Sequence, residues 1–291
     1  MIVHTSCVKV GHRQAPHPQK PSPLPRRGLS ALSSSRFALP ADSAAKRSPP
    51  TMTVEPPSVA CHADPRFLER KLVVTGDGSH SLYLPALDEH YHSSHGALRE
   101  SRHVFIRHGY EEALAFSRLR LQILEMGFGT GLNALLTWDR SAWGGVSVSY
   151  TALEALPVAA EVAARLNYAD WLTYPLAARE IFAGMHRCAW GASENFGEHF
   201  SLLKLRTTLE AFHPVGEYDL VYYDAFSPQV QPELWGKALF DKLIRCMSPG
   251  AVLVTYCAKG EVKRNLKAAG FTLENLPGPP GKREMTRARK P

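Results

Sequence analysis

An apolar run at residues 121–126 ends in a loop with glycine at every second position, Gly127, Gly129 and Gly131, and a helical pattern follows at once. Glycines there let the backbone pass close to a ligand without Cβ clashes. A strand turning through such a loop into a helix opens a parallel α/β sheet. In a dinucleotide fingerprint the third glycine would fall at position 132, which is Leu132. The alternate spacing suits a ligand without a pyrophosphate. S-adenosylmethionine is one, and its zwitterionic methionine end can use loop N–H groups and nearby side chains.

From residue 121 onward strands alternate with helices. Strands are expected at 121–126, 146–153, 200–205, 218–223, 251–256, 271–276 and 284–288. Helices are expected at 131–138, 157–166, 232–247 and 261–269. Such alternation predicts an α/β, Rossmann-like, seven-stranded and mostly parallel sheet covered on both faces, and the ending on two consecutive strands marks the class I methyltransferase version of that fold. The last two strands have no helix between them, so they form an antiparallel hairpin at the edge.

Residues 121–291 are thus the expected methyltransferase domain, and 68–120 a small N-terminal subdomain. In the latter, short β-like runs at 71–75 and 81–84 flank Gly76, Asp77, Gly78 and Ser79, which is hairpin chemistry. Residues 88–108 read as helical or loop-helical. Residues 1–60 read as a disordered extension, because ten of the 22 prolines fall before residue 60. The first 51 residues hold a single acid, Asp42, so one reading is an organelle transit peptide. The favoured reading is an over-called start with Met52 as initiator.

Two acids sit where α/β sheets bind ligands, at the carboxyl ends of strands. Glu154 ends the second strand, where a carboxylate can accept hydrogen bonds from both ribose hydroxyls. Asp224 ends the fourth, beside the first. A carboxylate there can hold an amine acceptor, take its proton and stabilise the positive charge growing on nitrogen. The alternative is a helix N-cap, which Pro228 and Pro232 make a poor fit.

The net charge is +7, but it is unevenly distributed. Residues 61–257 carry 17 bases and 22 acids, while 258–291 carry nine bases and three acids. A basic C-terminal edge suits a polyanion. The five cysteines are scattered and form no C-x-x-C pair, which fits a reducing, cytoplasmic setting. No apolar run is long enough for a membrane helix.

Several separated motifs resemble the tRNA 5-methylaminomethyl-2-thiouridine methyltransferases, the methyltransferase half of MnmC that also occurs alone. They are Asp77-Gly78-Ser79, residues 99–105, the loop from Glu125 to Asn133, Asp224 to Pro228 with Gln231 to Trp235, residues 255–260, and residues 277–285. The similarity runs from about residue 68 to 288. It implies methyl transfer from S-adenosylmethionine to the aminomethyl group of a wobble uridine in the tRNA anticodon stem-loop. It implies Asp224 at the acceptor amine and Tyr83, Glu125, Gly127, Gly129, Asn133, Glu154 and Phe226 around the cofactor. Lys259, Lys282 and Arg283 are expected to hold anticodon-loop phosphates. The related bifunctional proteins carry an FAD-dependent oxidase domain, so a separate enzyme is expected to supply the aminomethyl precursor here. The stretch after the third strand, residues 204–209, lacks the acid that methyltransferases often place near the adenine, so adenine recognition is left unassigned.

Two other readings remain open at this point: an aminopropyltransferase acting on a small diamine, and a non-catalytic RNA-binding protein of the same fold. His90, His92 and His95 have a metal-like spacing, but spacing alone does not make ligands converge; no metal is expected. Trp190, Trp235 and Tyr256 could stack on a flipped-out base or lie in the core.

Overall fold

Alternation along the strands decides the architecture. In the computed structural model, Ile123 and Tyr222 face one buried layer while their neighbours Leu124 and Tyr223 face another. A sheet apolar on both faces must be covered on both. The structure describes residues 64–115, 119–214 and 216–291. The reading of residues 1–60, with its Met52 and transit-peptide alternatives, lies outside the described residues.

After a 3₁₀ turn at Pro65–Phe67, the described residues form β1 (Lys71–Val74), β2 (His80–Leu84) and β3 (Glu89–His90), a small antiparallel sheet. Helix α1 (Ala97–Ser101), a π-helical segment (Arg102–Tyr110) and α2 (Glu111–Leu114) follow. Next come β4 (Arg120–Met126), α3 (Leu132–Gly144), β5 (Ser147–Leu153), α4 (Ala160–Ala163), α5 (Pro175–Arg187) and β6 (Ser193–Asn195). Then follow β7 (Phe200–Leu205), β8 (Tyr218–Tyr223), α6 (Lys237–Arg245), β9 (Met247–Thr255), α7 (Gly260–Ala268), β10 (Thr272–Pro277) and β11 (Glu284–Arg289).

The large sheet has the order β10-β11-β9-β8-β4-β5-β7-β6. The five strands from β9 to β7 in that order are parallel. Strand β11 runs antiparallel to β9, and β10 antiparallel to β11. The chain moves outward from β4 through β5 to β7, then returns to β8 on the other side of β4. The switch point therefore lies between β4 and β8, where a cleft opens at the carboxyl ends.

All seven expected strands are present, and the sheet gains an eighth. Strand β6 is three exposed residues, Ser193, Glu194 and Asn195, too short and polar to show a pattern. The helix expected at 157–166 shrinks to α4. Arg70 takes the carbonyls of Leu156 and Pro157, and Glu154 takes the N–H of Leu156, so the first turn cannot wind. The helix expected at 232–247 breaks at extended Gly236, after a 3₁₀ turn at Pro232–Trp235. Helix α5 was not anticipated, although Pro175 stands in its first turn and Ala178, Phe182 and Met185 mark its buried stripe. Residues 88–108 hold strand β3 before any helix begins.

The π-helical segment docks the N-terminal part on the sheet. Val104, Phe105 and Tyr110 pack into the layer containing Tyr222 and Val254. Gly109 makes this approach possible: a Cβ there would meet Val254 at 2.9 Å and Tyr222 at 3.1 Å. We expect Gly109→Ala to destabilise the fold by about 1–3 kcal/mol through overpacking. Urea unfolding monitored by circular dichroism checks this, and an unchanged midpoint would mean that the segment has slack.

Candidate active site

The cleft at the switch point is a cavity of about 740 Å³, a size ordinary for a small-molecule site. Its floor is the loop after β4. Gly127, Gly129 and Gly131 all have positive φ, at 86°, 50° and 75°. At two of them an added side chain would also be crowded. A Cβ on Gly127 would lie 3.1 Å from the Asp224 carbonyl, and one on Gly131 2.9 Å from His186 Nε2. The loop is thus pressed between β8 and α5, with its open side to the cavity.

Several loop N–H groups are already engaged. Gly127 and Phe128 donate to the Leu153 carbonyl at 3.0 and 3.1 Å, and Gly131 donates to Phe128 at 2.8 Å. Gly129 donates to Glu154 Oε2 at 2.8 Å. Glu154 Oε1 accepts from the Leu156 N–H at 2.8 Å. Each Glu154 oxygen keeps a lone pair for a ribose hydroxyl. The cradle fits S-adenosylmethionine: a backbone channel that a Cβ would obstruct, ending at an anchored carboxylate.

The structure brings together Gly127, Gly129, Asn133, Glu154, Asp224, Phe226 and Lys282 around this one cavity. Phe226 packs edge-on against Tyr91, with ring centroids 5.0 Å apart. Tyr83 does not join them. Its hydroxyl donates to Asp88 at 2.8 Å and its ring rests on His90. Strand alternation turns it away, and Tyr91 supplies the aromatic wall instead. Glu125 also lies outside the lining, fully buried behind the loop. Lys259 and Arg283 are exposed and outside the cavity.

After β7, Thr207, Thr208, Leu209 and Glu210 reach the cavity. Hydroxyls and a later acid therefore stand where the usual acid is missing. Arg70 was missed by sequence reading, since an arginine before a short strand carries no motif. It donates to Tyr91 at 2.9 Å and holds the loop after β5. The three clustered histidines diverge. His90 is exposed, His95 lies against Gly281, and buried His92 bonds Ser81. Burial brings His92 down to about 4, so it is neutral. Trp235 is core, whereas Tyr256 lines the cavity and donates to the Ala225 carbonyl at 2.9 Å. Trp190 lies under the Lys204 ammonium, 4.6 Å from the ring centre.

Charge inside the cavity runs opposite to that of the whole chain. Asp88, Glu89, Glu100, Glu154, Glu210, Asp224 and Glu233 line it, against Arg70 and Lys282 as fixed cations. Such a surface favours a cationic ligand, and a sulfonium and an ammonium are both cations. Lys282 is turned inward: it pairs with Glu100 at 2.7 Å and lies 4.0 Å above the Tyr256 ring centre. Other C-terminal bases are also engaged. Arg287 and Arg289 meet Glu112 and Glu274, and Lys263 meets Glu284. The basic edge is therefore much weaker than its count of charges implies.

Asp224 leaves the end of β8 at the cavity floor. Burial pushes its carboxyl up, the negative charge of Glu100 adds to that, and the Asn133 bond and Lys282 pull it back, leaving it at about 7. It therefore exchanges its proton near neutrality, the range suited to an acid-base group.

A family model described as S-adenosyl-L-methionine-dependent methyltransferase matches residues 194–291. A solved structure, MnmC2 from Aquifex aeolicus, superposes with a TM-score of 0.63 at 25% identity, covering 77% of this chain and 71% of that one. Residues 194–291 thus carry the signature of the S-adenosyl-L-methionine-dependent methyltransferases. Among curated proteins, this chain is similar to the tRNA 5-methylaminomethyl-2-thiouridine biosynthesis bifunctional protein MnmC of Aromatoleum aromaticum. They are 36% identical over 237 residues, 75% of this chain and 35% of that protein. The MnmC of Cupriavidus metallidurans is 34% identical over 233 residues, with 75% and 33% covered. The chain spans about a third of the length of these curated relatives. Among its described residues no helix is long and apolar enough to cross a membrane.

The charges around Asp224 generate a test with opposite signs. Removing the Lys282 cation in Lys282→Met should raise the Asp224 pKa and move the acid limb of the rate profile to higher pH by about half a unit or more. Glu100→Gln removes a repelling charge and should move it to lower pH. Methyl-transfer rates between pH 5 and 9 decide, and coincident profiles would mean that these groups do not act on Asp224.

Proposed function

We propose that this methyltransferase transfers a methyl group to the aminomethyl nitrogen of 5-aminomethyl-(2-thio)uridine at the tRNA wobble position. The observation carrying this reading is Asp224, a carboxyl poised near neutrality in an acidic cavity beside the glycine cradle. The names of the similar MnmC proteins support the nucleoside class.

The glycine loop and Glu154 would hold S-adenosylmethionine, which when bound supplies an electrophilic methyl on a sulfonium. Asp224 meets an alkylamine that is mostly protonated at neutral pH. Its carboxylate holds the ammonium, accepts or relays the proton and frees the nitrogen lone pair. It then remains beside a nitrogen that becomes cationic, an interaction that strengthens toward the transition state. Tyr256 and Phe226 both line the cavity and are the aromatic groups available to a base there. Phosphates belong outside an acidic cleft, so Lys259 and Arg283 are their partners, while Lys282 acts within it.

Asp224→Asn keeps the shape and removes the charge. Single-turnover methylation of tRNA bearing 5-aminomethyluridine should slow by about 10²–10⁴, with S-adenosylmethionine binding retained. An Asn variant within a few-fold of wild type would make Asp224 structural. Activity on small diamines instead of tRNA would favour an aminopropyltransferase.

Charge reversal at Lys259 and Arg283 should raise the KM for tRNA several-fold and flatten its salt dependence. Cofactor affinity should stay unchanged by calorimetry. Unaltered tRNA binding across salt concentrations would leave these side chains as a solvated face.

A further inference from the structure

Behind the cradle lies a polar group that the reaction as described does not use. Glu125 is on β4, and its side chain is fully buried on the face that α3 covers. Its Oε1 accepts from Asn133 Nδ2 at 3.0 Å. The same nitrogen donates to Asp224 Oδ2 at 2.9 Å. A side-chain amide has two N–H hydrogens, so one amide ties two carboxyl groups together. Glu125 Oε2, Asn133 Oδ1 and the Tyr150 hydroxyl are buried behind the loop, and the Tyr150 hydroxyl interacts with the Glu125 carboxyl.

Which way the amide faces matters. With its nitrogen toward Asp224 it favours the carboxylate. Turned over, it would set a carbonyl oxygen against a carboxylate oxygen and disfavour the charge. In the structure the nitrogen side faces both carboxyl groups, donating to Glu125 Oε1 and to Asp224 Oδ2. Burial and the nearby Asp224 charge hold the Glu125 carboxyl well above the usual carboxylate range. This favours the neutral acid, a form that anchors the amide without adding a second negative charge.

We propose that Glu125 and Asn133 are positioning residues for Asp224: Glu125 fixes the Asn133 amide, which holds Asp224 Oδ2 and leaves Oδ1 to meet the acceptor amine. Glu125 thus belongs to the acid-base apparatus and not to the cofactor contacts. The catalytic meaning rests on the proposed function, but the coupling of the three side chains does not.

The test therefore begins without substrate. In the full chain labelled with carboxyl-¹³C aspartate, the Asp224 resonance is identified by its loss in Asp224→Asn and titrated by NMR. Asn133→Ala should raise its midpoint by about one pH unit or more, since a donor to the carboxylate is removed. Glu125→Leu should raise it too, because the amide loses its second anchor. Glu125→Gln should rescue the midpoint relative to Glu125→Leu, since a carboxamide has the acceptor and donor pattern of a neutral acid. It should also bind S-adenosylmethionine within a few-fold of wild type.

An unmoved Asp224 midpoint in Asn133→Ala would overturn the proposal. So would a Glu125→Gln variant that titrates like Glu125→Leu, or one that loses cofactor affinity tenfold or more. If Asn133→Ala fails to fold, the near-isosteric Glu125→Gln still decides through its midpoint and cofactor affinity. The acid limb of tRNA methylation should follow the NMR midpoint. Failure of every variant and wild type to methylate tRNA would count against the substrate reading alone, with the titrations still deciding the coupling.

Discussion

The backbone of Gly127 rests against the carbonyl of Asp224, and the rest of the site depends on that contact. Strands β4 and β8 lie side by side in parallel, so their carboxyl ends finish together. One end becomes the cradle and the other carries the acid. Without a side chain at residue 127 the two meet at van der Waals distance, and the acid lies next to whatever the loop holds. Reactant geometry is thus fixed by sheet register, which is stiffer than any loop. The amide of Asn133, one residue into α3, ties the same two strand ends together at side-chain level.

Charge sorting is the second organising fact. The cavity collects acids, and many bases of the C-terminal region are engaged by acids elsewhere. Arg287 and Arg289 bind β11 to α2 and β10 through Glu112 and Glu274. Partly buried pairs of this kind contribute to specificity of packing as much as to net stability. The chain can therefore be basic overall and still present an acidic pocket to a cation.

Much of the fold was legible because periodicity survives in apolar strands. Strands β7 and β8 fall where their alternating or continuous apolar runs place them, at residues 200–205 and 218–223. Strand β6 and helix α4 were not legible in their final form. The first is polar, and the second is cut short by Arg70, whose partner carbonyls are 86 and 87 residues away in sequence. In the site, the glycines, Glu154 and Asp224 announce themselves by position at strand ends. Tyr83 and Tyr91 could not be told apart by sequence, because the choice depends on which face of a hairpin turns inward. Counting charges could not show that Lys282 finds Glu100, 182 residues earlier.

The place of β11 in the sheet bears on the order of assembly. It lies between β9 and β10, so β9 has no neighbour on that side until a later segment arrives. Strands β10 and β11 are close in sequence and pair with each other, so they can form as a hairpin and dock as a unit. Until they do, β9 presents an open edge whose residues 251–254 are apolar and buried in the finished sheet. A half-built molecule therefore carries an adhesive strand of the kind that recruits other chains. The closing hairpin is a cap on self-association as well as the last piece of the sheet.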